Sequence, residues 1–273
     1  MVRAVTYILL TFFLLCGCNS NVKKLQPRSC NPTVKDIERY QLQGNVKHID
    51  IVEERNISTA YFNQMGMLDS IIRYTLQDTL RFIYVYNSKG LLSELQVKHT
   101  DGKYEALYEY EYQGEIVSSF AFRGVDMQVL DRWNYEIESG KQVRSRYYNE
   151  GVLINRSEYS YNGLDKTEKV YSPENELLGE TIYKYASPGR ISFINSNGFV
   201  IEIEYGEDNL PSRSTNAVIG HDGEIFTNAD SHLYGAIHYE YIKDAHGNWI
   251  ERIELLGDEK VKGKTIRRNI IYR

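Results

Sequence analysis

Glycine residues recur along this chain at a spacing that predicts β-hairpins. Gly66 and Gly90 are 24 positions apart, and Gly102 and Gly114 follow Gly90 at intervals of 12. A strand of about five to eight residues and a turn of about two to five residues together fill such an interval. Glycine supplies the positive φ that tight turns need. Each pair of intervals therefore predicts one β-hairpin.

Pairs of aromatic residues precede the predicted turns, and most of them are tyrosines. The pairs are Tyr61-Phe62, Tyr84 and Tyr86, Tyr108 and Tyr110, Tyr147-Tyr148, Tyr183 and Tyr185, and Tyr239 and Tyr241. Tyrosines at positions i and i+2 share one face of a strand, where cross-strand aromatic pairs stabilise a sheet. The chain has 23 Tyr against 9 Phe and 2 Trp, so we interpret this excess first as a packed face of a sheet. An exposed face of this kind could also stack on sugar rings or on a partner protein.

The repeat predicts an all-β fold, an antiparallel hairpin meander that forms an extended or coiled sheet. One short helix is expected between Thr33 and Leu42, before the first alternating segment at Val46. The 42% hydrophobic content is enough for a sizeable core, and a net charge of −5 with a pI near 5.8 argues against nucleic-acid binding.

Residues 1–17 have the features of a signal peptide. Arg3 precedes an apolar run over residues 7–15, which is shorter than the roughly 20 residues that a membrane-spanning helix needs. The following segment Leu15-Cys16-Gly17-Cys18 resembles the bacterial lipobox, and the resemblance implies lipidation of Cys18. Modification of Cys16, or a plain secretory signal, are the alternatives.

After the signal peptide, the cysteines and the local composition predict two segments, a tether and a folded domain. With Cys16 removed and Cys18 lipidated, Cys30 has no partner for an intramolecular disulfide. Residues 18–40 are predicted to be a lipidated tether, and residues 41–273 the β-repeat domain. We expect an envelope protein held at a membrane, with the outer membrane favoured and its periplasmic or surface face left open.

Two repeat families share the local pattern. The segment Tyr239–Trp249 resembles the YD or RHS-type repeat, Tyr-x-Tyr-Asp-x-x-Gly-Asn, and the segment Tyr147–Tyr159 resembles MORN-like repeats. The chain as a whole resembles uncharacterised lipoproteins of Gram-negative bacteria built from such hairpins. These resemblances imply stacked antiparallel hairpins and fix no single activity.

Residues 209–237 depart from the repeat and form the candidate binding loop. The candidate binding residues are His221, Asp222, Asp230 and His232 in this loop, together with His238, which directly follows it. Their spacing matches no compact metal-ligand motif, and the chain carries no nucleophile elbow, phosphate loop or dinucleotide fingerprint. We therefore predict no catalytic residue, no metal and no cofactor.

The sequence favours a binding or scaffold module for a protein or a glycan. The alternative is a carbohydrate-active hydrolase whose site lies in the 209–237 loop, which would require two carboxylates on either side of a sugar. An envelope-assembly or immunity-type protein is a third hypothesis, and a defined partner that co-purifies with the chain would identify it.

Overall fold

The computed structural model describes residues 36–54, 56–74, 78–227 and 235–273. The predicted signal peptide, Cys18 and most of the predicted tether lie outside these residues. One short helix, α1 (Asp36–Arg39), lies inside the interval expected to hold it. None of the helices formed by the described residues is long and apolar enough to cross a membrane.

Strands make up most of the described chain. They are β1 (Val46–Glu53), β2 (Asn56–Phe62), β3 (Leu68–Tyr74), β4 (Thr79–Tyr86), β5 (Leu92–His99), β6 (Tyr104–Gln113), β7 (Ile116–Arg123), β8 (Val129–Glu138), β9 (Lys141–Asn149) and β10 (Val152–Asn162). The remainder are β11 (Asp165–Tyr171), β12 (Leu177–Ser187), β13 (Arg190–Ser196), β14 (Phe199–Tyr205), β15 (Pro211–Thr215), β16 (Ala217–Ile219), β17 (Ile225–Thr227), β18 (Ile237–Lys243), β19 (Trp249–Leu256) and β20 (Val261–Tyr272).

The main sheet closes into a barrel. Within the described residues it has 18 strands, β1–β15 and β18–β20, and each pairs antiparallel with its neighbours. The first strand closes the ring, because Ile49 lies opposite Ala60 of β2 on one side and opposite Ile270 of β20 on the other. Strands β16 and β17 form a separate hairpin.

Closure corrects the predicted extended or coiled sheet, whereas the all-β antiparallel meander is confirmed. A meander that stayed open would leave unpaired N–H and C=O groups along β1 and β20, and pairing these two strands removes both edges. Local spacing describes one hairpin at a time, so it does not reveal that the first and last strands meet.

One turn geometry explains the 12-residue spacing. In the turn that begins at Asn87, the Asn87 N–H donates to the Leu91 carbonyl and the Gly90 N–H donates to the Asn87 carbonyl. Gly90 has φ +75°, and the Asn87 side chain accepts the N–H of Lys89 and of Leu91. A type I turn followed by a left-handed residue gives this three-residue hairpin loop with its bulge. The same two backbone bonds occur in turns that begin at Asn63, His99, Gly124, Ser172, Gly206, Gly220 and Asp244.

Many of the repeated tyrosines tie neighbouring strands together. The Tyr86 hydroxyl, at the end of β4, donates to the Leu68 carbonyl at the start of β3 at 2.8 Å, and Tyr112 makes the same bond to Leu92. Further bonds of this kind join Tyr161 to Gln142, Tyr205 to Ile191 and Tyr241 to Pro211. These hydroxyls satisfy carbonyls at one rim of the barrel, so much of the tyrosine excess is structural.

The two faces of the barrel wall differ in polarity. Inner-face residues such as Ile49 and Ile51 are buried. The outer face carries cross-strand ion pairs, which include Arg123 with Glu109, Arg213 with Glu204, and Arg267 with Glu251. The inner face is therefore largely apolar and aromatic around β1–β7, and the outer face carries these ion pairs together with exposed apolar side chains such as Ile57 and Ile242.

Two segments fill part of the interior. A barrel of 16–18 strands is too wide for its own side chains to fill. Tyr40, which follows α1, is buried with its ring edge-on to Phe62 at 5.5 Å between centroids. Ala217 and Ile219 of the β16–β17 hairpin are buried against inner-face residues of β14 and β18. The segment around Tyr40 and this hairpin together form an internal plug on the side of the barrel near β1 and β20.

Candidate functional site

Of the predicted binding-loop residues, the structure describes His221, Asp222 and His238, and it places His238 apart from the other two. His221 lies in the turn of the β16–β17 hairpin and is partly buried, and the Asp222 carboxylate accepts the N–H of Glu224 at 3.1 Å. His238 lies on β18 opposite Arg213, on the outer face. Asp230 and His232 lie outside the described residues. Among the residues that are described, no group of three or more His, Cys, Asp or Glu side chains is placed to hold a metal ion.

Two buried arginines hold the hairpin of the plug inside the barrel. Arg252 of β19 donates to the carbonyls of Ile219 and Gly220, the latter at 3.0 Å. Arg268 of β20 donates to the carbonyls of His221 and Tyr40, the latter at 2.8 Å. Both segments of the plug are thus bound to the barrel wall through backbone acceptors.

The surroundings of these arginines are polar but largely dry. The Arg268 guanidinium lies 3.4 Å from the centroid of the Trp249 ring, and Arg252 forms an ion pair with Glu254 at 3.2 Å. Burial raises the pKa of Glu254. The pKa of His221 is lowered to about 4, chiefly by burial; the Asp222 charge opposes this shift and the Arg268 charge contributes to it. This part of the 209–237 loop therefore acts as a plug.

A different part of the interior has the character of a binding site. We call it the lumen sector, the inner face of β9–β12, and its residues are Ser145, Ser157, Tyr159, Lys166, Glu168, Thr181 and Tyr183. The strand register places these residues on one face, since Tyr159 lies opposite Glu168 and Glu168 lies opposite Thr181. Lys166 likewise lies opposite Tyr183.

Aromatic rings and polar groups alternate across the lumen sector. The Lys166 ammonium lies 4.4 Å from the Tyr183 ring centroid and 5.2 Å from that of Tyr159. The Tyr159 hydroxyl is 2.8 Å from the Ser145 hydroxyl, and the Tyr183 hydroxyl donates to Glu168 at 3.4 Å. Burial raises the pKa of both tyrosines, so their hydroxyls remain protonated donors at neutral pH.

The exposure of this sector separates it from the rest of the inner face. Tyr159, Lys166, Glu168 and Tyr183 are all partly exposed, whereas inner-face residues of β4–β7 such as Phe120 are buried in the apolar core. Flat rings beside an ammonium, a carboxylate and hydroxyls can contact the apolar faces of a sugar and hydrogen bond to its hydroxyls.

Sequence reasoning singled out Tyr183 as one of a repeated pair, named Tyr159 only as the end of the MORN-like segment, and did not identify Lys166 or Glu168. The available signal was their position on β11, a strand with polar residues at alternate positions between two strands with Tyr-x-Tyr pairs. With 37 acidic residues in the chain, nothing in the sequence distinguished Glu168.

Comparisons with known proteins give structural neighbours and no sequence relative. No protein-family model matches the chain, and no curated protein matches its sequence. Solved structures that resemble it include a porin-like protein from Bacteroides uniformis ATCC 8492, with a TM-score of 0.39, 11% identity, and coverage of 83% of this chain and 98% of the other. A porin-like protein from Bacteroides vulgatus ATCC 8482 has a TM-score of 0.35 and 12% identity, and covers 85% and 99% of the two chains. The TcdB2-TccC3 structure without its hypervariable C-terminal region has a TM-score of 0.27 and 10% identity, with 77% of this chain aligned to 14% of that one.

Proposed function

We propose that this protein is a lipid-anchored barrel of the bacterial cell envelope that binds a saccharide in its lumen sector. The observation that carries the proposal is the inner face of β9–β12, where partly exposed rings of Tyr159 and Tyr183 flank the ammonium of Lys166. The inner face of β4–β7 offers apolar packing, and the plug covers the side near β1 and β20, where the charged groups of Arg252, Glu254 and Arg268 are already engaged. The lumen sector is thus the part of the interior whose chemistry suits a polar ligand with a ring.

The charged outer face supports a barrel that stands in water and is held at the membrane by its lipid. A membrane-spanning barrel presents an apolar band about 25 Å tall to the acyl chains. Here the outer face carries ionised pairs such as Glu136 with Arg144 and Lys169 with Glu180 on strands throughout the wall. Two or three acyl chains on Cys18 would anchor such a barrel stably, since each buried CH₂ contributes about 0.8 kcal/mol.

Binding without hydrolysis is favoured over the hydrolase alternative. A glycosidase of the common type needs two carboxylates that flank the scissile bond. In the 209–237 loop, Asp222 caps a turn and Asp230 lies outside the described residues. In the lumen sector the carboxylate is that of Glu168, and Tyr183 donates to it.

We expect a tyrosine of the lumen sector to be required for saccharide binding. Screening the mature chain on a glycan array, followed by calorimetric titration of the best ligand, should give binding that Tyr183→Ala weakens about tenfold or more, because one ring contact of about 1.4 kcal/mol corresponds to that factor. Tyr148→Ala is the matched control, since Tyr148 lies on the outer face of β9 opposite Leu153. No binding to any glycan, or equal losses in both variants, would refute the site, and release of free sugar from the ligand would favour the hydrolase.

We expect Cys18→Ala to release the protein from the membrane fraction. Without the acyl chains nothing in our proposal holds the charged barrel at a bilayer. Fractionation of cells that express the full chain, with Cys30→Ala as the control, measures this directly. If Cys18→Ala stays with the membranes and Cys16→Ala does not, the lipidated residue is Cys16; if both stay, the anchoring mechanism is wrong.

A further inference from the structure

An arginine pair on the outer face of β9 and β10 has unusual surroundings. Arg146 of β9 lies directly opposite Arg156 of β10 in the strand register. Like charges in directly opposed positions destabilise a strand pair. We call the depression around them the arginine hollow; it has a volume of about 190 Å³. The outer-face residues that line it are Glu136, Arg144, Arg146, Arg156 and Glu158.

The carboxylates of the arginine hollow do not neutralise its three guanidinium groups. Glu136 is shared, since its oxygens lie 3.0 Å from Arg144 and 2.8 Å from Arg146. The hydrogen bond from Arg144 lowers the pKa of Glu136, which keeps this carboxylate ionised. With Glu158 as the second acid, the lining residues carry one net positive charge, and Glu138, outside the lining, lies 3.9 Å from Arg144 and not beside Arg156.

Arg156 is the guanidinium that this arrangement leaves without an anion. Within the part of the chain that the structure describes, it forms no ion pair, and its Nε–H is buried with no acceptor. Its guanidinium lies 5.3 Å from the centroid of the Tyr171 ring, which fixes the plane of the fork without neutralising it.

A pair of opposed carboxylates on the outer face has a counter-ion close by. Glu94 lies opposite Glu109, and Glu109 accepts a hydrogen bond from Arg123 at 2.6 Å. At Arg156 the missing compensation is a negative charge with hydrogen-bond acceptors.

We propose that the arginine hollow binds a tetrahedral oxyanion of the phosphate type between Arg146 and Arg156. Planar guanidinium forks bind phosphate oxygens in pairs, and two opposed forks can hold one anion between them. The anion would relieve the repulsion between the two side chains and accept the Nε–H of Arg156. The phosphate could come from a free ion or from a lipid headgroup. This site lies on the opposite face of the wall from the lumen sector and does not depend on saccharide binding.

Thermal unfolding in the presence of inorganic phosphate tests the proposal. At constant ionic strength, the midpoint of the full chain should rise with phosphate concentration, as a ligand that binds the folded state requires. Arg156→Gln should abolish this rise. In phosphate-free buffer the same variant should unfold at an equal or higher temperature than the parent, because the repulsion with Arg146 is removed. Arg213→Gln is the matched control, since Arg213 is an outer-face arginine paired with Glu204 at 2.8 Å, and it should keep the response to phosphate.

Vesicle binding distinguishes the two sources of phosphate. The full-length Cys18→Ala chain, which cannot be acylated at position 18, is sedimented with vesicles of phosphatidylcholine alone or with added phosphatidylglycerol. If the chain binds the anionic vesicles, and if free phosphate displaces it and Arg156→Gln abolishes the binding, the arginine hollow is a headgroup site. If phosphate raises the unfolding midpoint but the chain does not bind vesicles, the ligand is a soluble phosphate. The proposal is overturned if chloride at equal ionic strength produces the same midpoint shift, if Arg213→Gln loses the shift as Arg156→Gln does, or if Arg156→Gln is destabilised in phosphate-free buffer.

Discussion

Replacing Arg268 by alanine should reduce the free energy of unfolding by about 2–5 kcal/mol. The substitution leaves the buried carbonyls of Tyr40 and His221 without their donor, and each such acceptor costs about 1–3 kcal/mol. It also removes the group that packs at 3.4 Å on the Trp249 ring. Because Arg268 bonds to both segments of the plug, its loss should weaken their attachment together. Equilibrium urea unfolding followed by tryptophan fluorescence measures the change.

The neighbouring residue provides the control. Arg267 lies on the outer face and pairs with Glu251 at 2.9 Å, so Arg267→Ala should change the stability by less than about 1 kcal/mol. Arg268→Met retains much of the apolar stem without the donors, and an intermediate loss would report the hydrogen-bond contribution. Similar losses for Arg267→Ala and Arg268→Ala would contradict the assignment of inner and outer faces and with it the plug.

The sequence predicts the local structure of this barrel better than its closure. Gly90 and its equivalents mark real hairpin turns because a left-handed residue is needed at a fixed point of each turn. Tyrosines at positions i and i+2, such as Tyr108 and Tyr110, mark the inner face because alternation along a strand is a local property. The pairing of β1 with β20 joins residues more than 200 positions apart, such as Ile49 and Ile270, and neither strand carries a signal that names the other.

The candidate site shows the same division between local and long-range information. The 209–237 loop was identified because it breaks the repeat, but its interior position depends on Arg252, 32 residues after Gly220, and on Arg268, 47 residues after His221. A histidine near acids in a loop is compatible with a solvated surface and with a buried plug. The residues that pack against His221 decide between a solvated surface and a buried plug, and sequence spacing alone does not identify those residues.

Acidification should weaken the folded state through His221. Burial lowers the pKa of His221 in the folded protein to about 4, against an ordinary value of 6.5. The groups facing it are Arg73, Arg252, Arg268, Asp222 and Glu53, and the cations oppose its protonation. Below pH 6.5 the unfolded chain binds a proton at His221 that the folded chain excludes. The free energy of unfolding therefore falls as the pH decreases from 6.5 to about 4, and below about pH 4 the effect of His221 is complete. At 1.36 kcal/mol per pH unit the loss approaches about 3 kcal/mol.

Comparison with His221→Gln isolates this contribution, because glutamine does not titrate. Urea unfolding of both chains between pH 4 and 7.5 should give a difference in stability that shrinks as the pH falls, to the disadvantage of the parent. His99→Gln serves as the opposite control: hydrogen bonds to Glu105 and Asp78 raise the pKa of His99, so its contribution is present below pH 6.5 and declines as the pH rises through the raised pKa. If the parent and His221→Gln lose stability in parallel on acidification, His221 is not buried as a neutral side chain, and the hairpin that carries it is not held within the barrel.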